Sequence, residues 1–172
     1  MTEDERDEQI AAAVAAQYGA DLKSVDAVGF DQKTPDGVMP FGAFINLPGG
    51  DQQHVVGAFV DGVVHHGASA ALGALMPRVA DLAPVDVARL VGELQLDADT
   101  GTAIVRADQL AHINAEWRQH VTLPSEMRMG DTRIITYWVS TGGETPLLRS
   151  TLTIEPSGTY RISYADIWSY LQ

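Results

Sequence analysis

The last quarter of the chain, Arg133 to Gln172, constrains the fold most. It holds three runs, Arg133–Ser140, Leu147–Ile154 and Thr159–Tyr164, separated by the turn sequences GGETP and EPSG. Alternation is clean in the last two. Leu148, Leu152 and Ile154 face one way and Arg149, Thr151 and Thr153 the other, while Tyr160, Ile162 and Tyr164 oppose Thr159, Arg161 and Ser163. One buried and one wet face is the pattern of an antiparallel meander. A short closing helix is expected after Asp166.

Upstream, residues 3–18 read as a helix. Thr2 can cap it, the first turn is acidic, Ile10, Ala13, Val14 and Tyr18 recur at helical spacing, and Gly19 stops it. Ser24–Asp31 and Phe41–Leu47 read as strands. Phe41, Ala43, Ile45 and Leu47 share one face of the second, with KTPDG and Pro48–Asp51 as turns. His54–Val60 and Val63–His66 flank Asp61-Gly62, the strongest short hairpin signal, because both turn residues need positive φ. From Ser69 to Val121 the pattern is helical. Ser69 caps a short helix ended by Pro77, and Pro84 opens another with the stripe Val87, Val91 and Leu94. A third runs from about Arg106 to His120, with Leu110, Ile113, Asn114 and Trp117 on one side. The expected architecture is α+β: antiparallel meanders packed against several helices, in one compact domain over residues 1–172. Helix-then-strands occurs twice, in 1–66 and 102–172, without a shared motif.

The 172 residues include no cysteine, which removes thiol chemistry, disulfides and cysteine-ligated zinc. A chain of this size can build a core without such staples. The acidic opening MTEDERDEQ is unlike a signal peptide, and no apolar run approaches membrane-spanning length, so a cytoplasmic location is expected. The net charge is −12 and uneven. Residues 1–100 carry sixteen acids and five bases, against seven acids and six arginines in 101–172. Such a field repels nucleic acid and anionic membranes and draws basic partners; it also serves plain solubility.

No catalytic signature emerges. His65 and His66 are adjacent, so a strand sends them to opposite faces. His54 shares the face of His65 but lies about 13 Å along it, too far for a shared ion. His112 and His120, eight apart, would be roughly 12 Å apart on a helix. No H-E-x-x-H, G-x-S-x-G or G-K-[ST] occurs, and Asp97 and Asp99 in DADTG lack the remaining ligands of a calcium loop. Neither a metal nor a cofactor is expected. On the third-from-last strand, Ile135, Tyr137 and Val139 look like the core side. Trp138 then stands on the wetter face as a candidate anchor, unless a helix covers it; Trp168 raises the same question.

TPLLRSTLTIEPSGTYRISYADIW resembles the C-terminal part of the YezG-like family of bacterial immunity proteins. In that family a strand and a Gly turn precede an aromatic strand G-[FY]-x-I-x-[FY] and an acidic segment; here Gly158, Tyr160, Ile162, Tyr164 and Asp166 hold those positions. About forty residues carry the resemblance. Ser24-Val25 stand where the family has a tryptophan, and its longer acidic aromatic tail is lacking. The resemblance implies a cytosolic antidote that binds and blocks a secreted toxin, often a nuclease, without a cofactor. A basic toxin domain is then the expected partner, with Asp97, Asp99, Trp138, Glu144, Asp166 and Trp168 as candidate contacts chosen by location.

Two alternatives stay open. A secretion chaperone-like module would be a homodimer with a broad hydrophobic groove. A small-molecule carrier or enzyme would hold a deep apolar cavity with a polar group such as His54 or His66. An open sheet face rimmed by acids and aromatics favours the inhibitor, and a buried His–Asp pair favours the enzyme.

Overall fold

A computed structural model describes residues 2–30, 33–95, 101–140 and 147–170. These residues form an α+β fold with five α-helices and two antiparallel sheets. The first sheet, in order β1-β2-β3-β4, comprises Val25–Gly29, Val38–Asn46, Gln52–Val60 and Val63–His66. The second runs β5-β7-β8-β9, from Thr102–Ile104 through Thr132–Ser140 and Leu147–Ile154 to Tyr160–Asp166. Strand β6, Ser125–Met129, pairs with the other end of β7 on the same side as β5.

Helix α1, Glu3–Tyr18, is fixed at both ends by its sequence. Thr2 Oγ1 accepts from Glu5 N–H (3.2 Å) and Thr2 N–H donates to Glu5 Oε2 (2.7 Å), a reciprocal capping box. Gly19 closes the helix in the left-handed conformation, φ 65°. Ile10 and Val14 are buried against Phe41, Ala43 and Ile45 on one face of the first sheet. Tyr18, expected on that stripe, is 40% exposed, with its ring edge-on to His66. Leu47 likewise leaves the buried row, because the Pro48–Asp51 turn carries it out of β2; it is 41% exposed.

The opposite face of the first sheet carries Val38, Val56, Ala58 and Val60 into the main core. There they meet helices α2, Ala68–Leu75, and α3, Pro84–Leu94, through Leu72, Leu75, Val87, Leu90, Val91 and Leu94. Ile135, Tyr137, Val139, Leu152 and Ile154 of the second sheet close the same core from the far side. The β3–β4 hairpin has the register read from sequence, Val60 opposite Val63 and Ala58 opposite His65, with Asp61 and Gly62 at φ 50° and 81°. Pro84 is the first residue of α3. Ser69 is not a cap: Gly67, at φ 82°, turns the chain directly out of β4, so α2 begins at Ala68.

The helix expected over 106–120 is broken. Two four-residue helices, α4 (Ala107–Leu110) and α5 (Ala115–Arg118), replace it. Asn114 is the reason. Its backbone leaves the helical region (φ −49°, ψ 137°) and its side chain accepts from Glu116 N–H at 3.0 Å, so it starts a new helix. Leu110, Ile113 and Trp117 still share a side, and they pack on Ile104, Val121, Trp138, Leu147 and Ile167 over the outer face of the second sheet. The layers therefore run α1, first sheet, α2 and α3, second sheet, α4 and α5.

Candidate functional site

The residues singled out in sequence divide sharply. Asp97, Asp99 and Glu144 lie outside the described residues. Trp138 is not a surface anchor: it is 2% exposed, because α4, α5 and the closing 3-10 turn, Ile167–Tyr170, cover its face of β7. Asp166 is half-buried and its Oδ1 accepts from Trp168 N–H at 3.1 Å, so it caps that closing turn. Trp168 remains 49% exposed, its ring held edge-on by Trp117 at 5.7 Å. The structure thus brings Trp138, Asp166 and Trp168 into one neighbourhood and leaves only Trp168 at the surface. A large aromatic fixed by a second ring loses little freedom on meeting a partner.

Beyond this cover the outer face of the second sheet is open. Register places Met127, Ile134, Thr153 and Arg161 in one row across β6 to β9. Met127 and Arg161 are exposed and Ile134 is half-buried. Among the described residues this open face carries the cation Arg161, and at its rim exposed Glu155 accepts from Thr132 Oγ1 at 2.8 Å.

The acids gather on the opposite layer. An open groove of about 960 Å³ runs beside α1, lined by Glu5, Glu8, Gln9, Ala11, Ala12 and Leu22. Ile10 and Val14 face the sheet, so Glu5, Glu8, Gln9 and Ala12 face water on the other side of the helix. Leu22 reaches the groove from the 3-10 turn Leu22–Ser24, which Asp21 caps by accepting from Lys23 N–H at 3.0 Å; it is 53% exposed. The floor is therefore alanine and leucine and the rim is glutamate. Sequence reading treated the acidic first turn as dipole chemistry and passed over Leu22. Its signal was an isolated leucine placed four residues after Tyr18, just past the Gly19 stop.

No group of three or more His, Asp or Glu able to hold a metal ion occurs among the described residues. His54 stacks on Phe44, with ring centroids 4.7 Å apart. His66 is half-buried against Tyr18; burial, then the adjacent His65, lowers its pKa below the ordinary 6.5. That favours the neutral ring, yet among the described residues no carboxylate contributes to its shift, as an orienting partner of a general base would. A smaller cleft of about 370 Å³ lies between α3 and the β5–α4 corner, lined by Arg89, Glu93, Arg106 and Gln109 among others. Arg106 is committed to Asp108 at 3.0 and 3.1 Å, and Gln109 to the backbone of Ala103, Val105 and Arg106.

The buried polar groups are structural. Arg133, 5% exposed, donates to the carbonyls of Val79 and Leu82 and to Glu126 Oε2 at 2.7 Å, tying β6 and β7 to the segment before α3. Tyr137 and Ser150 face each other across β7 and β8, and neither hydroxyl has a hydrogen-bond partner among the described residues. Burial, then nearby Tyr164, raises the Tyr137 pKa above the ordinary phenol value, which favours the neutral hydroxyl.

No protein-family model, curated protein or solved structure matches this chain.

Proposed function

We propose that the chain is an acidic binding protein of the immunity type, which neutralises a basic toxin domain by direct contact, and that the groove beside α1 is its docking surface. One observation carries this reading: the groove joins an apolar floor of Ala11, Ala12 and Leu22 to a rim of Glu5 and Glu8. A basic amphipathic segment is its chemical complement. Apolar side chains would cover Leu22 and the alanines while cations meet the glutamates.

The charge distribution supports the same partner. Residues 1–100 carry sixteen acids and five bases, a net −11, which steers a cationic domain towards the layer that bears the groove. Asp97 and Asp99 belong to that charge, and Glu144 adds to it from the second half. Trp168, with Asp166 holding its turn, is a second contact on the far side. The resemblance of 145–168 to the YezG-like immunity proteins points to the same class of activity.

The test is capture from the native lysate and secreted fraction at low and moderate salt, followed by titration of the purified partner. Glu8→Arg and Leu22→Glu are each expected to weaken binding about tenfold. For Glu8→Arg the loss should lie mainly in a slower, less salt-sensitive association. A partner bound equally well by both variants at every salt concentration would reject the groove. Recovery of many unfolded clients would favour the chaperone alternative, and recovery of no protein would redirect attention to small molecules.

A further inference from the structure

Strand β6 is an open edge. It pairs with β7 on one side, and among the described residues no strand pairs with the other. Its outward-facing methionines are among the most exposed large apolar residues described, Met127 at 57% and Met129 at 64%. Soluble proteins usually blunt such an edge with proline, a bulge or charged side chains, because unpaired backbone groups beside apolar side chains invite another strand. Strand β6 carries no proline and no bulge, and its two charges, Glu126 and Arg128, pair with each other at 2.7 Å instead of repelling. Its charges have opposite signs and flank a central residue: Glu126, Met127, Arg128.

We infer that β6 is the self-association edge of the protein, pairing antiparallel with β6 of a second copy about a two-fold axis at Met127. That axis sets Glu126 opposite Arg128 of the second copy, twice by symmetry, and Ser125 opposite its Met129. Met127 meets its own counterpart. Opposite charges directly across an antiparallel pair stabilise it, and a two-fold interface requires such self-complementarity. The faces agree. Glu126 and Arg128 lie on the side of β7 that carries Ile135 and Arg133, while Ser125, Met127 and Met129 lie on the side of Ile134. Joining the edges would continue the row Ile134–Met127 into its copy and cover both exposed methionines.

The other edges do not offer this match. Edge β1 is held by α1, where Gly29 N–H donates to Asp7 Oδ1 at 3.3 Å, and β4 packs on α1 and α2. In β9 the only opposite charges, Arg161 and Asp166, point to opposite faces of the sheet and cannot meet across a two-fold pair. The groove beside α1 lies on the first sheet's outer layer, so dimerisation and partner binding are separable.

The chain has no cysteine, so single cysteines report the register directly. In the proposed pair the two residues 127 are directly opposite, with Cα atoms about 4.5–5.5 Å apart, inside disulfide range. The two residues 125 would be about 13 Å apart, outside it. Under mild oxidation Met127→Cys is expected to form a cross-linked dimer and Ser125→Cys alone is not. A mixture of Ser125→Cys with Met129→Cys should form the heterodimer. In sedimentation, the 18.5 kDa chain should run at twice its mass. Arg128→Glu should run as a monomer that keeps the far-UV circular dichroism of the folded chain, with a lower melting temperature because it loses both the second copy and the Arg128–Glu126 pair at 2.7 Å. A wild-type monomer across the concentration series, a dimer that survives Arg128→Glu, or equal cross-linking of Met127→Cys and Ser125→Cys would each overturn the inference.

Discussion

At the scale of the residue, Arg133 is the side chain on which most depends. Its guanidinium is buried, and its partners come from three places in the chain: Val79, Leu82 and Glu126. Truncation would leave two carbonyls unpaired and Glu126 with only exposed Arg128 as a cation. Arg133→Ala should therefore cost about 3 kcal/mol, between the loss of one charged hydrogen bond and the breaking of a fully buried pair. The pair also sets an acid limit. The Arg133 hydrogen bond holds the Glu126 carboxyl below its ordinary 4.5, against the opposing effect of burial. The folded state thus favours the ionised form. The pair's contribution is complete above 4.5 and is lost as pH falls through the lowered value. Urea titrations between pH 7 and pH 3 should show stability falling faster in the wild type than in Arg133→Ala. Parallel slopes would mean that the pair is not the acid-labile element.

At the scale of the element, legibility followed how local the determinant is. The α1 boundaries, Pro84 at the start of α3 and the Asp61-Gly62 hairpin were all readable, because caps, a proline and a two-residue turn act within four residues of sequence. Strand β6 was not readable. Glu, Met and Arg favour helices, and the strand exists because β7 and Arg133 hold it. Strand β5 has three residues, too few to show a period. Trp138 was misplaced for a related reason: alternation identifies the two faces of a strand but not which face a distant element covers. Of the candidate site, the acidity of α1 was legible, whereas the groove needed Leu22 folded back beside the helix. Gly92 shows the same non-local logic inside α3. A Cβ there would stand 2.8 Å from Ala103 Cβ on β5. Alanine would gain about 1 kcal/mol in helix propensity. Overpacking against the sheet costs about 1–3 kcal/mol, so the loss should win and Gly92→Ala should be destabilising in urea. Adding Ala103→Gly should restore part of the loss. A stabilised single variant would show that β5 yields freely.

At the scale of the whole molecule, the decisive fact is that one core serves both sheets. Val38, Val56, Ala58 and Val60 of the first share it with Ile135, Tyr137, Val139, Leu152 and Ile154 of the second, with α2 and α3 between them. Leu90, fully buried on α3, sits at the middle of this arrangement. A core divided between two independent halves would give each its own transition, whereas a shared one should unfold both together. The tryptophans make the distinction measurable, because Trp117, Trp138 and Trp168 all belong to the second half. Their fluorescence therefore follows the second sheet and its cover, while far-UV circular dichroism follows α1 and both sheets. The two probes are expected to give coincident urea transitions in the wild type. Leu90→Ala should move both to lower urea together, by a loss of about 3 kcal/mol for a buried leucine. If fluorescence kept its midpoint while the dichroism transition moved or split, the sheets would be separate folding units. The acidic layer could then unfold without disturbing the β6 edge, and docking and self-association would have independent stabilities. Coincidence would instead couple the two surfaces through α2 and α3, so that a partner binding only the folded α1 groove also raises the stability of the β6 edge.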